Sequence, residues 1–148
     1  MAAKKSYRLE DSMGYRVTVL AGEMKAQMRR RVSKFGVTTQ QCAVLIVLYR
    51  REGPNVTELA ERIAVDFGGT SRLVDRLRVK GFLSGRADGT DRRALRLELT
   101  DKGRDVARKA LAASKATNEV YLKKITPKEA RQFRAILEKL RGGVGGFE

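Results

Sequence analysis

Apolar residues recur at helical spacing along most of the chain. The first such segment begins near Ser12, and basic residues gather towards its end, from Lys25 to Lys34. Its apolar residues fall on one side of a helical wheel: Val17, Leu20, Ala21, Met24, Met28 and Val32. This spacing predicts a long amphipathic helix.

Two further helices follow, each with its own start signal. Thr38 and Gln41 have the spacing of a capping box ahead of the apolar run CAVLIVLY, which predicts a buried central helix. The pair Gly53-Pro54 then breaks the pattern. Asn55 with Glu58 repeats the capping arrangement before a short helix.

A fourth helix is predicted over about residues 67–80. Asp66 has the side chain of an N-cap, and Gly81 can take the left-handed conformation that ends the helix. The residues predicted to face the core are Phe67, Thr70, Leu73, Val74 and Leu77. The outward residues, which we call the outward face, are Gly68, Ser71, Arg72, Asp75, Arg76 and Val79.

After Gly81 the apolar spacing changes from that of a helix to that of a strand. Phe82-Leu83 and the alternating Leu95, Leu97 and Leu99 predict an antiparallel hairpin over about 82–99. The loop of this hairpin contains the turn residues Asp88-Gly89. Two final helices are predicted to begin at the caps Thr100 and Thr126.

This order of elements predicts a mainly α fold with a small β-hairpin wing, in the α+β class. We divide it into an N-terminal dimerisation helix at 1–36 and a winged helix-turn-helix core at 37–100. C-terminal dimerisation helices at 101–141 and a flexible glycine-rich tail at 142–148 complete the chain. The core cannot cover the apolar sides of the flanking helices, which predicts a homodimer.

The net charge of the chain indicates what kind of partner it binds. The chain of 148 residues carries 32 Lys and Arg against 17 Asp and Glu, a net charge of +15. Such an excess implies a polyanion: nucleic acid, an anionic membrane surface or an acidic protein. A cationic helix beside a cationic hairpin matches the grooves of double-stranded DNA. An architectural or nonspecific DNA-binding protein remains the alternative to a sequence-specific regulator.

Several classes of chemistry are excluded by composition. The chain has no histidine and a single cysteine, Cys42, so an internal disulfide, the common Cys and His metal sites and His-activated nucleophiles are absent. We therefore expect no cofactor and no enzymatic activity. Cys42 begins an apolar run and is predicted to be a small buried hydrophobe. Lacking a long apolar span or a secretory signal, the protein is expected to be cytoplasmic and nucleoid-associated, with no membrane partner.

The chain resembles the multiple antibiotic resistance regulator (MarR) family from about Leu9 to Leu140. The run Asp91-Arg92-Arg93, followed by LELT and Gly103, resembles the wing signature of that family. The segment RLVDRL, followed by Gly81, resembles the end of its recognition helix. Where the family usually has more polar residues at the start of that helix, this chain has Phe67-Gly68-Gly69.

The resemblance implies a dimeric winged-helix repressor or activator. It implies that DNA affinity falls when a small, commonly aromatic or anionic, effector binds between the dimerisation and DNA-binding regions. We expect a repressor of a pseudo-palindromic operator. A two-fold dimer would place its recognition helices about 34 Å apart, one turn of DNA.

On the recognition helix, Ser71, Arg72 and Arg76 are predicted to contact DNA, through a hydroxyl and two guanidinium groups. The alternative is a solvated surface, or ion pairs of these arginines with Asp75. The pair Gly68-Gly69 either lets a phosphate approach the helix N-terminus or allows close packing of that turn.

On the wing, Arg92 and Arg93 can reach the minor groove. The resemblance favours Arg93 as the residue held by Asp91 and one of the two arginines as the inserted side chain. Alternatively, Asp91 caps the turn and both arginines are solvated. Arg86, at the base of the wing, is predicted to contact phosphate.

An effector pocket is predicted between the first two helices and the fifth. Its candidate lining residues are Tyr15, Met24, Met28 and Tyr49, together with Phe35. The alternative is that these side chains belong to the core.

Overall fold

The computed structural model describes residues 7–50, 55–86 and 96–142. These residues form α1 Met13–Val32, α2 Thr39–Tyr49, α3 Val56–Ile63, α4 Phe67–Val79, β1 Leu83–Arg86, β2 Arg96–Leu99, α5 Asp101–Leu122 and α6 Pro127–Arg141. Single 3₁₀ turns flank α1. The predicted fold class, mainly α with a small β-hairpin, is confirmed.

The predicted helix starts are confirmed because each has a local hydrogen-bonding cap. Thr38 and Gln41 form the predicted capping box: Oγ1 of Thr38 accepts the Gln41 N–H at 3.2 Å, and Oε1 of Gln41 accepts the Thr38 N–H at 3.1 Å. Side chains also cap the other helices: Ser12, Asn55, Asp66, Thr100 and Thr126. These bonds satisfy backbone donors that a helix leaves unpaired at its start.

The helix α2 lies at the centre of the fold, as its apolar run predicts. It packs against α1, α3, α4 and α5 and against β2. Its side chains Cys42, Val44 and Leu45 are completely buried. Leu59 of α3 and Leu77 of α4 complete the same core. The helix α4 therefore rests on a closely packed, apolar base.

The hairpin is antiparallel, and its two strands lie within the predicted range of residues 82–99. Leu83 pairs with Leu99, and Arg86 pairs with Arg96. Leu83 and Leu97 are buried, so one side of the hairpin rests on the core. The predicted hairpin loop, including Asp88-Gly89, lies outside the described residues.

Gly81 ends α4 as predicted. Its φ of +75° is a left-handed conformation that a residue without Cβ adopts at little cost. The Phe82 N–H donates to the Leu77 carbonyl and the Gly81 N–H donates to the Arg78 carbonyl, both at 2.9 Å. This pair of bonds is a Schellman motif, and it directs the chain into β1.

The start of α5 is bonded to the same junction. Thr100 Oγ1 donates to the Gly81 carbonyl at 2.6 Å and accepts the Gly103 N–H at 3.0 Å. The Thr100 N–H donates to the Phe82 carbonyl at 3.1 Å. A Cβ on Gly103 would overlap that Phe82 carbonyl oxygen. The close approach of α5 to the end of α4 therefore requires glycine at position 103.

The flanking helices leave apolar surface uncovered in a single chain. The helix α1 packs along α5, whereas α6 contains no buried residue. The exposed apolar side chains of these regions are Leu9, Met13, Val17, Val19, Leu122, Ile125, Phe133, Ile136 and Leu140. No helix among the described residues is long and apolar enough to cross a membrane.

Candidate nucleic-acid interface and cavity

The helix α4 is fixed by four buried residues on one side. Thr70, Leu73, Val74 and Leu77 are between 0% and 7% exposed, as predicted for the core. The prediction for Phe67 is wrong, because this side chain is 42% exposed. Phe67 is the first residue of the helix and lies one turn beyond Thr70, where the core ends. A helical wheel shows which side of a helix is apolar, but it does not show how far along the helix the core extends.

The outward face of α4 is cationic. Arg72, Arg76 and Asp75 are exposed, and Ser71 is half-buried. Within the described part of the chain, neither arginine forms an ion pair with Asp75. Arg78, which the sequence analysis did not select, is exposed on the same helix. On a helical wheel, Arg78 lies between the buried residues and the outward face, and this position is the sequence signal for it.

The two glycines at the start of α4 have different surroundings. A Cβ on Gly69 would lie 2.7 Å from Cγ1 of Val65, so this residue permits close packing of the turn. A Cβ on Gly68 would lie 3.3 Å from Oδ1 of Asp66, a tighter contact than usual, and 3.6 Å from a guanidinium nitrogen of Arg72. Close packing therefore explains Gly69, while Gly68 is exposed at the helix N-terminus.

A lysine that the sequence analysis missed connects α4 to α2. Lys80 Nζ donates to the Gly36 carbonyl at 2.6 Å and to Gln41 Oε1 at 3.1 Å. Gln41 is only 3% exposed, so its amide oxygen has little access to water. Lys80 thus holds the end of α4 against the start of α2, and no sequence spacing indicates such a contact over 39 residues.

The structure describes only part of the predicted wing residues. The backbone of Arg86 ends β1 opposite Arg96. The side chain of Arg86, and all of Asp91, Arg92 and Arg93, lie outside the described residues. Their DNA contacts remain predictions.

A cavity of about 520 Å³ lies between α1, α2 and α5. The described residues that line it are Met24, Lys25, Met28, Thr39, Cys42, Ala43, Ile46, Arg50, Leu111, Ser114, Lys115, Thr117 and Asn118. Met24 and Met28 were predicted to line an effector pocket. The lining combines apolar side chains with three cationic ones and, among these residues, has no carboxylate.

Tyr15 and Tyr49 are not among the residues that line this cavity, and their assignment to an effector pocket remains a prediction. Tyr15 lies beside a separate depression of about 320 Å³ near the start of α1. Tyr49 is half-buried and packs on the core, as does Phe35. Tyr15 and Tyr49 lie on predicted helices, but position along a helix does not reveal which neighbour a ring meets.

Cys42 is completely buried, as predicted, and lines the cavity from α2. Burial in apolar surroundings raises the pKa of its thiol to about 11, because the thiolate loses its hydration. The reactive thiolate is therefore scarce at neutral pH.

We expect Cys42 in the folded protein to react with a thiol reagent on the order of 100-fold more slowly than in the unfolded chain, since its pKa rises from 9.0 to about 11. Labelling rates at pH 8, with and without urea, measure this difference. Equal rates would contradict the assignment of Cys42 as an inert core residue.

The sequence and its relatives identify the family. The MarR family model matches residues 35–94, which include α2, α3, α4 and β1. The HTH-type transcriptional repressor MdtR from Bacillus subtilis is 31% identical over 93% of this chain and 88% of its own length. This chain belongs to the MarR family. It is a MarR-type transcriptional regulator.

Two solved structures share the whole fold of this chain. The PcaV regulator from Streptomyces coelicolor, in complex with its natural ligand, gives a TM-score of 0.82 at 26% identity, over 98% of this chain and 100% of that one. CouR from Rhodococcus jostii RHA1, bound to p-coumaroyl-CoA, gives 0.78 at 25% identity, over 97% and 99%. The MarR fold therefore extends through the flanking helices as well as the winged core.

Proposed function

We propose that this MarR-type regulator acts as a homodimeric repressor that binds a pseudo-palindromic operator and is released by a small-molecule effector. The observation that carries the proposal is the outward face of α4, which is exposed and cationic while its opposite side is fully packed. Such a helix can enter the major groove without rearrangement. The protein acts by binding rather than catalysis, in the cytoplasm where its DNA lies.

We assign the DNA contacts to the helix and the wing. Arg72 and Arg76 bind guanine edges or phosphates through their guanidinium groups, and Ser71 bonds a base edge or a phosphate. At the wing, Asp91 orients Arg93, and one of Arg92 and Arg93 enters the minor groove. Arg86 contacts phosphate beside it.

Dimerisation accounts for the uncovered apolar surface. Met13 in α1 and Ile125 after α5 are exposed, as are Phe133, Ile136 and Leu140 of α6. Burial of a large apolar side chain stabilises an assembly by about 1.5 to 3 kcal/mol. Pairing through these terminal regions leaves both copies of α4 open to DNA.

Selection of bound genomic fragments, followed by competition with random duplex at physiological salt, tests the proposal. A sequence-specific regulator prefers its operator by roughly 10³- to 10⁷-fold and gives a footprint centred on a dyad. Equal affinity for all duplexes would instead identify a nonspecific or architectural DNA-binding protein, with the salt dependence retained.

The cavity between α1, α2 and α5 is the proposed effector site. Its apolar lining, from Met24, Met28 and Leu111, fits a flat hydrocarbon body. Lys25 and Lys115 supply positive charge at the same site, which favours a carboxylate or phosphate on the ligand. The ligand-bound relatives PcaV and CouR support a small-molecule site in this fold.

The helix α2 connects this cavity to α4, the helix proposed to bind DNA. Thr39, Cys42 and Ile46 lie along one side of α2 and line the cavity. From the same helix, Gln41 accepts the hydrogen bond from Lys80 at the end of α4. A ligand that displaces α2 relative to α1 and α5 would therefore change the position of the recognition helix. This displacement is the proposed basis of release.

We expect naphthalene carboxylate to raise the melting temperature and weaken operator binding, whereas the neutral naphthalene carboxamide does neither. Lys115→Ala should weaken carboxylate binding about tenfold, because a charge-assisted hydrogen bond is lost. Lys123→Ala, at an exposed position after α5, is the matched control. Titration calorimetry with both compounds measures these effects, and equal binding of acid and amide would contradict the assigned ligand class.

A further inference from the structure

Phe67 stands at the DNA-reading end of α4 with much of its ring in solvent. It follows the N-cap Asp66 and is 42% exposed. In helix-turn-helix proteins, the residues near the start of the recognition helix approach base edges. An aromatic ring at this position has no core to fill, so its exposure calls for another partner.

The neighbouring residues leave the ring unshielded. Gly68 has no side chain, and Ser71, one turn along the same side of α4, is short. The carboxylate of Asp66 is already used, because it accepts the Gly69 N–H at 2.8 Å. Phe67 is therefore the single large apolar side chain in the first turn of the recognition helix.

The major groove offers one apolar group to such a ring. Thymine carries a C5-methyl group there, and the other base edges present hydrogen-bond donors and acceptors. We propose that Phe67 of each subunit packs on a thymine methyl group and so determines specificity at one position of each operator half-site. This inference rests on the proposed binding to an operator. Gly68 and Gly69 have no side chains that could contact a base, so Phe67 would provide the apolar base contact at this end of α4.

Replacing thymine by deoxyuridine removes only the methyl group and tests the contact directly. Each thymine of the selected operator is replaced in turn, in both half-sites, and affinity is measured with the full-length protein. At one symmetric position we expect about fourfold weaker binding for each half-site, or about fifteenfold for both. With Phe67→Ala, that loss should disappear, and Phe67→Leu should restore part of it.

Tyr7→Ala is the matched control, because Tyr7 is an aromatic side chain that is 75% exposed and lies outside α4. This variant should keep the full sensitivity to deoxyuridine. The inference is overturned if no single thymine is sensitive, or if Phe67→Ala retains the sensitivity of the parent protein. An operator preference that persists in either case leaves the proposed function intact, whereas absence of any preferred sequence removes both.

Discussion

Gly103→Ala is expected to lower the free energy of unfolding by about 3 kcal/mol or more. A Cβ at this position would overlap the Phe82 carbonyl oxygen, and backbone atoms cannot move aside as a flexible side chain can. The same oxygen accepts the Thr100 N–H at 3.1 Å, so relief of the overlap also disturbs the junction between α4 and α5. Urea unfolding at fixed protein concentration measures the effect.

Gly22→Ala provides the matched control. Gly22 lies inside α1, and apart from its chain neighbours and the backbone of its own helix no atom lies within 4 Å of the position its Cβ would take. Alanine there should raise the free energy of unfolding by about 0.5 to 1 kcal/mol, because helix propensity is then the dominant effect. Stabilisation by both substitutions would show that the contact between α5 and Phe82 is not close.

Arg72→Ala and Arg76→Ala are each expected to weaken operator binding by about 1 to 3 kcal/mol for every half-site. A homodimer carries each substitution twice, so the total loss is about 2 to 6 kcal/mol. Both guanidinium groups lie on the outward face of α4 and are not paired with Asp75. Their truncation should therefore leave folding almost unchanged. Affinity for the operator and for random duplex is measured over a range of salt concentrations.

Comparing the affinity for the operator with the affinity for random duplex distinguishes base contacts from phosphate contacts. Loss of a base contact reduces operator affinity selectively, whereas loss of a phosphate contact weakens all sequences and reduces the salt slope by about one. Arg131→Ala removes the same charge from the exposed surface of α6 and is the control. If both α4 variants bind the operator like the Arg131 variant, the recognition helix is not the anchor, and the wing residues Arg92 and Arg93 become the leading candidates.

Much of the fold could be predicted because its signals are local. Thr38 with Gln41, and Thr126 with Glu129, form capping boxes within one turn. Gly81 adopts the left-handed conformation expected after α4. Such interactions depend on residues three or four positions apart, so the spacing in the sequence is sufficient to recognise them.

The incorrect core assignment concerns where packing stops, and the lining of the cavity depends on which helices meet. Phe67 continues the apolar stripe of α4 but lies beyond the core that the neighbouring helices provide. Tyr15 and Tyr49 lie on the predicted helices without lining the cavity between α1, α2 and α5, whereas Met24 and Met28 do line it. A periodic pattern gives the side of a helix that is apolar, but not the element that covers each turn.

The sequence by itself determined the helix starts, the hairpin, the cationic side of α4 and the resemblance to MarR regulators, since each is expressed in short-range spacing or composition. The tertiary structure alone decided that Lys80 bonds Gln41, that Gly103 meets Phe82, and that Phe67 remains exposed. These contacts join residues far apart in the chain, or depend on where the core ends. Their energies arise from atoms brought together by folding, which residue spacing does not encode.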